Sequence, residues 1–224
     1  MKLAYERKAD RIWITNVGDL KANEIPINHF LDLAYDTDNW GYDSTEKWLS
    51  LWAAREFGSE VAADVASIVD RYGKYAGWRK YEVLDPSTYS VLNYNEADAV
   101  LAQWAQLGKE AQAVYDKLDE ATKVAFYELV LQPVLGGGVV NQIHINTAKN
   151  QVYSKQKRDA ANDQASLVLD LFKQDHTLTK RYHDLLGGKW NHILDREDLR
   201  KYGEMYMLIV YRTTSWLRIL VRPI

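Results

Sequence analysis

The 224-residue sequence contains no cysteine. This absence excludes disulfide bonds, thiolate metal sites and cysteine nucleophiles. It fits an intracellular protein, but large secreted proteins can also lack disulfides, so the cellular compartment stays open. The formal net charge is only −3, which gives no electrostatic reason to expect a nucleic acid or an anionic membrane as partner.

Long apolar runs are also absent. The segment Met1–Lys8 is charged almost at once and lacks the apolar region of about 7–15 residues that a signal peptide has. The longest apolar run, Met205–Tyr211, is much shorter than the roughly 20 residues that a membrane helix needs. We therefore expect no signal peptide in this chain and no membrane partner.

The sequence has few of the motifs that indicate a catalytic or cofactor-binding site. The closest two of the five histidines, His176 and His183, are a heptad apart and have no carboxylate motif beside them, so we expect no metal. No glycine-rich phosphate loop follows a strand, and no nucleophile elbow of the Gly-x-Ser-x-Gly type occurs. The sequence thus gives no reason to expect a cofactor.

Aromatic residues are the compositional feature that stands out, with eight tryptophans and fifteen tyrosines. Such side chains can stack on sugar rings, but at helical spacing they are more often part of a core. Both interpretations remain open, with the core favoured.

The first 38 residues have the pattern of one βα unit. Arg11–Gly18 is rich in β-branched and aromatic residues, which predicts a buried strand over Arg11–Asn16. Pro26 suits the first turn of a helix that runs from Ile27 to about Asp38. A lone buried strand cannot satisfy its backbone groups, and nothing later in the chain supplies partner strands. We therefore expect this unit to come from a larger fold.

The remainder has the apolar spacing of amphipathic helices joined by short links, which predicts a helical bundle. Asp43 and Asp119 are the predicted helix caps, and Pro133 with Gly136–Gly138 is predicted to interrupt a helix. The tail from Tyr202 contains two strand-like runs, and we assign no fold to it. One helix is predicted to end at Gly58, and others are predicted over 59–72, 139–155, 159–174 and 177–186. Residues 75–94 are predicted to be non-helical, and Asn93 and Glu96 frame the start of a long helix that runs through Leu118.

The loop after the predicted strand holds the candidate site residues Asn16, Asp19 and Lys21. In α/β barrels the reacting groups lie on such βα loops. These side chains suit hydrogen bonds to sugar hydroxyls or to a carboxylate, but they equally suit a helix cap and a solvated loop. A second polar cluster, at 36–42, could line a cleft or form an exposed linker.

Asn16-Val-Gly-Asp-Leu-Lys21, Trp190-Asn-His192 and several further blocks of the sequence resemble glycoside hydrolase family 115. They follow the order of the family and span about residues 4–195. The two most specific are Asn16-Val-Gly-Asp-Leu-Lys21 and Trp190-Asn-His192. The full set is Ala9–Lys21, Glu24–Pro26, Phe30–Asp36, Arg79–Tyr89, Asn93-Tyr94, Ala125–Val134, Ala148–Asn150 and Gly187–His192.

This resemblance implies a fold and an activity. Family members are xylan α-1,2-glucuronidases, which remove glucuronic acid or its 4-O-methyl ether from xylan with inversion. The implied architecture is mainly α: residues 1–42 form the last βα unit of a (β/α)8 catalytic barrel, residues 43–200 a helical bundle, and residues 201–224 a divergent tail. Asn16 would then belong to the sugar site, with Asp19 and Lys21 touching the substrate or supporting the loop.

The resemblance also implies that the general acid and base lie upstream of this chain. We therefore expect an enzyme fragment that is inactive alone and whose compartment is not assigned. For the intact enzyme, the resemblance implies action on glucuronoxylan or its oligosaccharides, with secretion or a periplasmic location and a homodimer as options. The alternative is a non-catalytic helical binding or assembly module that uses exposed Trp40, Trp78 and Tyr94. An exposed apolar face on Ile12, Ile14 and Val17 would favour the fragment, because it would mark a lost neighbour. A closed, polar surface with a tryptophan groove would favour the module.

Overall fold

The structure, a computed structural model, describes residues 1–18, 20–21, 23–195, 211–212 and 217–218. These residues are mainly α-helical, which confirms the predicted fold class. The helices are α1 (Lys2–Glu6), α2 (Glu24–Tyr35), α3 (Thr45–Phe57), α4 (Ala62–Trp78), α5 (Glu96–Lys117), α6 (Glu120–Phe126), α7 (Gln132–Lys155) and α8 (Ala160–Asp184). A π-helical turn spans Tyr127–Leu131, and 3₁₀ turns span Tyr81–Val83 and Leu185–Gly187.

Two strands of two residues each are described in the C-terminal tail, β1 (Tyr211–Arg212) and β2 (Leu217–Arg218). They pair antiparallel, with Tyr211 opposite Arg218. The rest of the two strand-like runs predicted there lies outside the described residues.

The chain divides into two compact units. Unit 1 consists of Met1–Gly73 and Glu110–Pro133, and unit 2 of Lys74–Lys109 and Val134–Ile224. The domain boundaries expected near residues 42 and 200 stay a prediction. The assignment of residues 1–42 to a catalytic barrel also stays a prediction.

Aromatic rings form the core of unit 1. The Trp48 and Trp52 rings stack with centroids 6.3 Å apart, and Trp52 meets the Phe57 ring edge to face at 5.5 Å. Phe57 then contacts Phe126 of α6 at 5.3 Å. Trp48 also donates a 2.6 Å hydrogen bond from Nε1 to Asp32, so its one polar group is satisfied. These tryptophans at helical spacing are core residues, as the favoured interpretation predicts.

The core of unit 2 lies between α7 and α8. Ile143 of α7 packs in one buried cluster with Val168 and Phe172 of α8. At one end of these helices, the Asn150 amide donates a 2.7 Å hydrogen bond to the Ala161 carbonyl, and both residues are buried. Apolar contact and a satisfied buried amide together fix how α7 and α8 pair.

The strand predicted over Arg11–Asn16 is not formed in this chain, and its place in a barrel stays a prediction. Residues 11–17 form neither helix nor strand, and their backbone groups make no hydrogen bond to other backbone groups of the described residues. Trp13 packs between the Tyr5 and Phe30 rings, at 6.5 and 6.2 Å, while Ile12 and Ile14 are exposed. The physical reason is the lack of a partner strand, because a lone strand cannot satisfy the hydrogen-bonding groups of its backbone.

The predicted interruption at Pro133 and Gly136–Gly138 is also wrong, because α7 is continuous through both. Proline lacks an N–H and its ring crowds the preceding turn. Here the π-helical turn Tyr127–Leu131 widens the helix directly before Pro133, which accommodates the missing bond. The glycines are kept in the helix by packing, since Gly137 lies against the buried Trp104 ring.

Two other helices are longer than predicted. Helix α4 continues through two glycines to Trp78, where its last turn packs against other rings. Helix α8 (Ala160–Asp184) joins the two helices predicted over 159–174 and 177–186 without a break. The polar residues in the middle of α8 predicted a link between two helices, but they include no glycine or proline. Within the helix, the Thr177 hydroxyl donates a hydrogen bond to the Lys173 carbonyl.

The two predicted caps have opposite outcomes. Asp119 caps α6 as predicted, accepting hydrogen bonds of 3.0 Å from the backbone N–H groups of Ala121 and Thr122. At α3 the N-cap is Ser44, not Asp43, and no side chain caps the backbone there. The Ser44 hydroxyl instead donates to the Gly41 carbonyl at 2.8 Å.

Among the described residues, the helical run Glu120–Lys155 is long and apolar enough to cross a membrane by length and composition. Of its most apolar window, 61% is buried inside the protein. We therefore interpret it as a core helix.

Candidate functional site

The predicted site residues of the N-terminal loop are not brought together as a built site. Asn16 is exposed and makes no hydrogen bond to the described residues. Asp19 lies outside the described residues. Asn23 holds the end of the loop by donating a 3.4 Å hydrogen bond to the Val17 carbonyl. The substrate roles of Asn16 and Asp19 therefore stay predictions.

Lys21 has an anchoring position in unit 1. Its ammonium forms ion pairs with Glu24 at the start of α2 and, at 3.2 Å, with Glu128 of the π-helical turn. Burial lowers the Lys21 pKa, but the hydrogen bond to Glu24 and the charge of Glu128 outweigh it, so the pKa is raised. Glu128 is only 2% exposed, so this lysine neutralises a buried carboxylate. Of the two roles considered for Lys21, these contacts favour loop support.

The second polar cluster, at 36–42, folds into a turn. The Asp36 carboxylate accepts hydrogen bonds of 3.2 and 3.0 Å from the backbone N–H groups of Asp38 and Asn39. Such a turn uses the carboxylate to satisfy its own backbone. The ring of Trp40, half-buried, has the Lys47 ammonium 5.4 Å from its centre. Of the two alternatives for this cluster, these contacts favour an exposed linker.

The histidines occupy different environments. Burial lowers the pKa of His144 and of His29, and in each case a nearby aspartate opposes the shift. His183 accepts a 3.1 Å hydrogen bond from the Leu194 backbone N–H. In the part of the chain that the structure describes, no group of three or more histidines and carboxylates could hold a metal ion.

The described residues also form a cleft in unit 2, which we call the Trp78 cleft. It has a volume of about 660 Å³, within the range of about 300–1,000 Å³ that small-molecule sites have. Its wall comes from the end of α4, the loop after the 3₁₀ turn and the first turns of α5. The side chains that matter below are those of Trp78, Arg79, Asp85, Tyr89, Glu96 and Gln103.

A stack of aromatic rings holds Trp78 in place. The Trp78 and Tyr75 rings are in contact, with centroids 4.5 Å apart and planes tilted by 32°. Tyr75 meets Trp104 edge to face at 5.5 Å, and Trp104 is 2% exposed. Trp104 in turn packs against Gly137, where an added Cβ would come within 2.8 Å of the indole ring. The exposed indole is thus built on the core of the unit.

The polar groups of the cleft are also positioned. Asp85 accepts hydrogen bonds from the Ser87 hydroxyl and backbone N–H, at 2.6 and 2.7 Å, which hold the pKa of its carboxyl below the usual range. Glu96 accepts a 2.7 Å hydrogen bond from the Ser90 backbone N–H through Oε2. Burial raises the pKa of Tyr89, and the charge of Glu96 adds to the shift while Arg79 opposes it.

Sequence reasoning named Trp78 as an exposed aromatic but did not foresee the cleft. Trp78 and Glu96 meet only because the loop between them folds back, and this loop was predicted merely as non-helical. The available signal was local: Asp85-Pro86-Ser87 has the residues of a turn in which an aspartate organises the following backbone.

Comparison with known proteins gives one family. Residues 1–83 match the family described as Glycosyl hydrolase family 115. No curated protein matches the chain. The match includes the N-terminal loop, all of α2 to α4 and the first cleft residues, Trp78 and Arg79. The resemblance seen over the following residues, to about 195, stays a prediction.

Proposed function

We propose that the chain, whose residues 1–83 match glycosyl hydrolase family 115, is part of a xylan α-1,2-glucuronidase. Such an enzyme removes glucuronic acid or 4-O-methylglucuronic acid from xylan with inversion. The family match carries this proposal. Inversion needs a general acid and a general base about 6.5–9.5 Å apart, with a water between them. We assign neither group to this chain and propose that it is inactive alone.

The exposed N-terminal segment supports the view that this chain packs against further structure. Ile12 and Ile14 are 79% and 84% exposed, although a β-branched segment of this kind suits a buried strand. Burying each isoleucine would contribute about 1.5–3 kcal/mol. In the proposed intact enzyme, neighbouring strands cover these side chains and pair with the backbone of residues 11–17. Val17, half-buried already, does not add to this argument.

In that setting Asn16 faces the sugar site from the end of the segment. Its amide has no hydrogen bond within the described residues, so both its donor and acceptor are free for sugar hydroxyls. Lys21, through Glu24 and Glu128, fixes the loop that follows.

A fusion tests the proposal. Residues 1–83 of this chain replace the matching residues of an active family member, and release of 4-O-methylglucuronic acid from glucuronoxylan is measured. We expect release, and we expect Asn16→Ala to lower kcat/KM about tenfold or more, since it removes hydrogen bonds to the substrate. Thr15→Ala, also exposed, is the matched control and should leave the rate unchanged.

A folded fusion without release would overturn the proposed activity. Equal rates for Asn16→Ala and the parent fusion would remove Asn16 from the site and leave the activity standing.

A second candidate is a non-catalytic binding module, which the Trp78 cleft favours. Of the aromatic residues named for it, Trp78 lines a cleft, Tyr94 is fully exposed and Trp40 belongs to a turn. The fusion separates the two candidates, because a pure binding module supports no release.

A further inference from the structure

We infer that the Trp78 cleft binds a neutral oligosaccharide, with the Trp78 indole as a stacking platform and Arg79, Glu96 and Gln103 as hydrogen-bonding groups. The ligand class is argued from the side chains of the cleft. It does not depend on the proposed glucuronidase activity.

The platform is pre-organised. Trp78 is 45% exposed at the end of α4, and one of its faces is covered by Tyr75. Tyr75 is backed by the buried Trp104, so the indole has little freedom to turn. A rigid, half-exposed indole offers a large apolar face at low entropic cost, which suits the C–H face of a sugar ring.

Unused polar groups surround this platform. Arg79 donates through Nε to the Val83 carbonyl at 3.2 Å, which leaves the two terminal nitrogens of its guanidinium without a partner among the described residues. Glu96 uses only Oε2 in its hydrogen bond to Ser90, so Oε1 is free to accept. The exposed Gln103 amide can donate and accept. Planar donors and acceptors at the edge of an aromatic face match the hydroxyl groups at the edge of a sugar ring.

The charge of the cleft selects a neutral ligand. Arg79 is its only lining cation, whereas Asp85 and Glu96 are both anionic. An anionic sugar or a phosphate would meet these two carboxylates with a single guanidinium in opposition. Asp85 is already engaged by Ser87, so its carboxylate helps to shape the loop and its charge disfavours anions.

Calorimetric titration of the 224-residue chain tests the inference, with xylotriose, cellotriose and glucuronic acid as probes. We expect at least one of the trisaccharides to bind at millimolar or lower concentration and glucuronic acid to bind more weakly. Trp78→Ala should weaken binding about tenfold or more, as truncating a central tryptophan does. Trp78→Phe keeps a stacking face and should retain most of the affinity.

Tyr35→Ala is the control, because Tyr35 is 96% exposed at the end of α2 and lines no part of the cleft. It should bind as the parent does, and circular dichroism establishes that each variant is folded. Absence of binding by both trisaccharides would overturn the inference. So would unchanged affinity in folded Trp78→Ala, or tighter binding of glucuronic acid than of either trisaccharide. None of these results bears on the fusion that tests uronic acid release.

Discussion

The N-terminal loop and the Trp78 cleft use similar residue types in opposite ways. In the loop, Ile12, Ile14 and Asn16 are exposed, and only Lys21 is anchored by charged partners. In the cleft, the exposed Trp78 ring packs on Tyr75, which contacts the buried Trp104, and the lining carboxylates are held by neighbouring hydroxyl and N–H groups. Most candidate binding groups of the loop are not held in position by neighbouring residues. The polar groups of the cleft are held by such neighbours.

This difference shows what a site requires beyond suitable residues. Binding groups act when their positions are fixed by packing and by further hydrogen bonds. The loop would gain that support only from structure that covers residues 12–17. The cleft draws it from its own unit, so we expect the cleft to bind ligand in this chain and the loop to contribute only in a larger enzyme.

Among the changes made in the loop and around the cleft, the largest effect should come from Gly137→Ala, which disturbs the support of the cleft. The added Cβ would lie 2.8–2.9 Å from the Trp104 ring and also contact Tyr81, and overpacking of this kind costs about 1–3 kcal/mol. Chemical denaturation measures the loss. Gly138→Ala is the control, because its Cβ would meet Trp104 at an ordinary 3.8 Å. Equal stability of the two variants would show that Trp104 is loosely packed.

Lys21→Met should destabilise the chain next most strongly. It leaves the buried Glu128 without the ammonium, and because Lys21 is 26% exposed the cost should be about 1–2 kcal/mol, below the value for a fully buried pair. Lys173→Met removes an exposed pair with Asp170 and should change the stability by less than about 0.5 kcal/mol.

The loss of stability in Lys21→Met should depend on pH. Because the folded-state pKa of Lys21 is raised, its contribution is fully present below the unfolded pKa, about 10.4, and is lost as the pH rises through the higher folded pKa. Denaturation curves of parent and Lys21→Met should therefore converge at alkaline pH. A constant gap would contradict the assigned ion pairs.

A smaller effect should appear in acid, through His144. Burial lowers its folded-state pKa and the Asp85 charge only opposes this, so the unfolded chain binds the proton more readily. Its contribution is present above about pH 6.5 and is lost as the pH falls through the lowered folded pKa, at up to about 1.4 kcal/mol per pH unit. His144→Gln should flatten the stability curve between pH 7 and 5 more than His176→Gln, whose ring is exposed. Equal slopes would refute this.

The smallest effect should come from Ile14→Asp. With 84% of the side chain exposed, the change should alter the stability of this chain by less than about 0.5 kcal/mol. Ile143→Ala, in the α7–α8 core, should cost about 2–5 kcal/mol. A loss of comparable size at Ile14 would mean that the segment is already covered, and the contrast between loop and cleft would fail.

Local patterns predicted the local features. Helical spacing identified Trp48 and Trp52 as core residues, and Asp119 was recognisable as a cap because the interaction spans only three positions. Helix continuity through Pro133 was missed, since it depends on the π-helical turn before it and on Trp104, which lies far away in the sequence.

The site residues divide in the same way. Lys21 was identified, but its partner Glu128 could not be, because more than a hundred residues separate them. Trp78 was identified as an exposed ring, yet the cleft needs the fold of the loop that brings Glu96 beside it. The sequence shows which residue types are present, but tertiary packing decides which of them come together in one site.

The most direct test of the account is release of 4-O-methylglucuronic acid from glucuronoxylan by the purified 224-residue chain, with an intact family member as the positive control. The account predicts release by the control and none by the chain, because the acid and base are not assigned to it. Clear release by the chain, abolished by Asn16→Ala, would contradict the account, since the complete catalytic site would then lie within these residues.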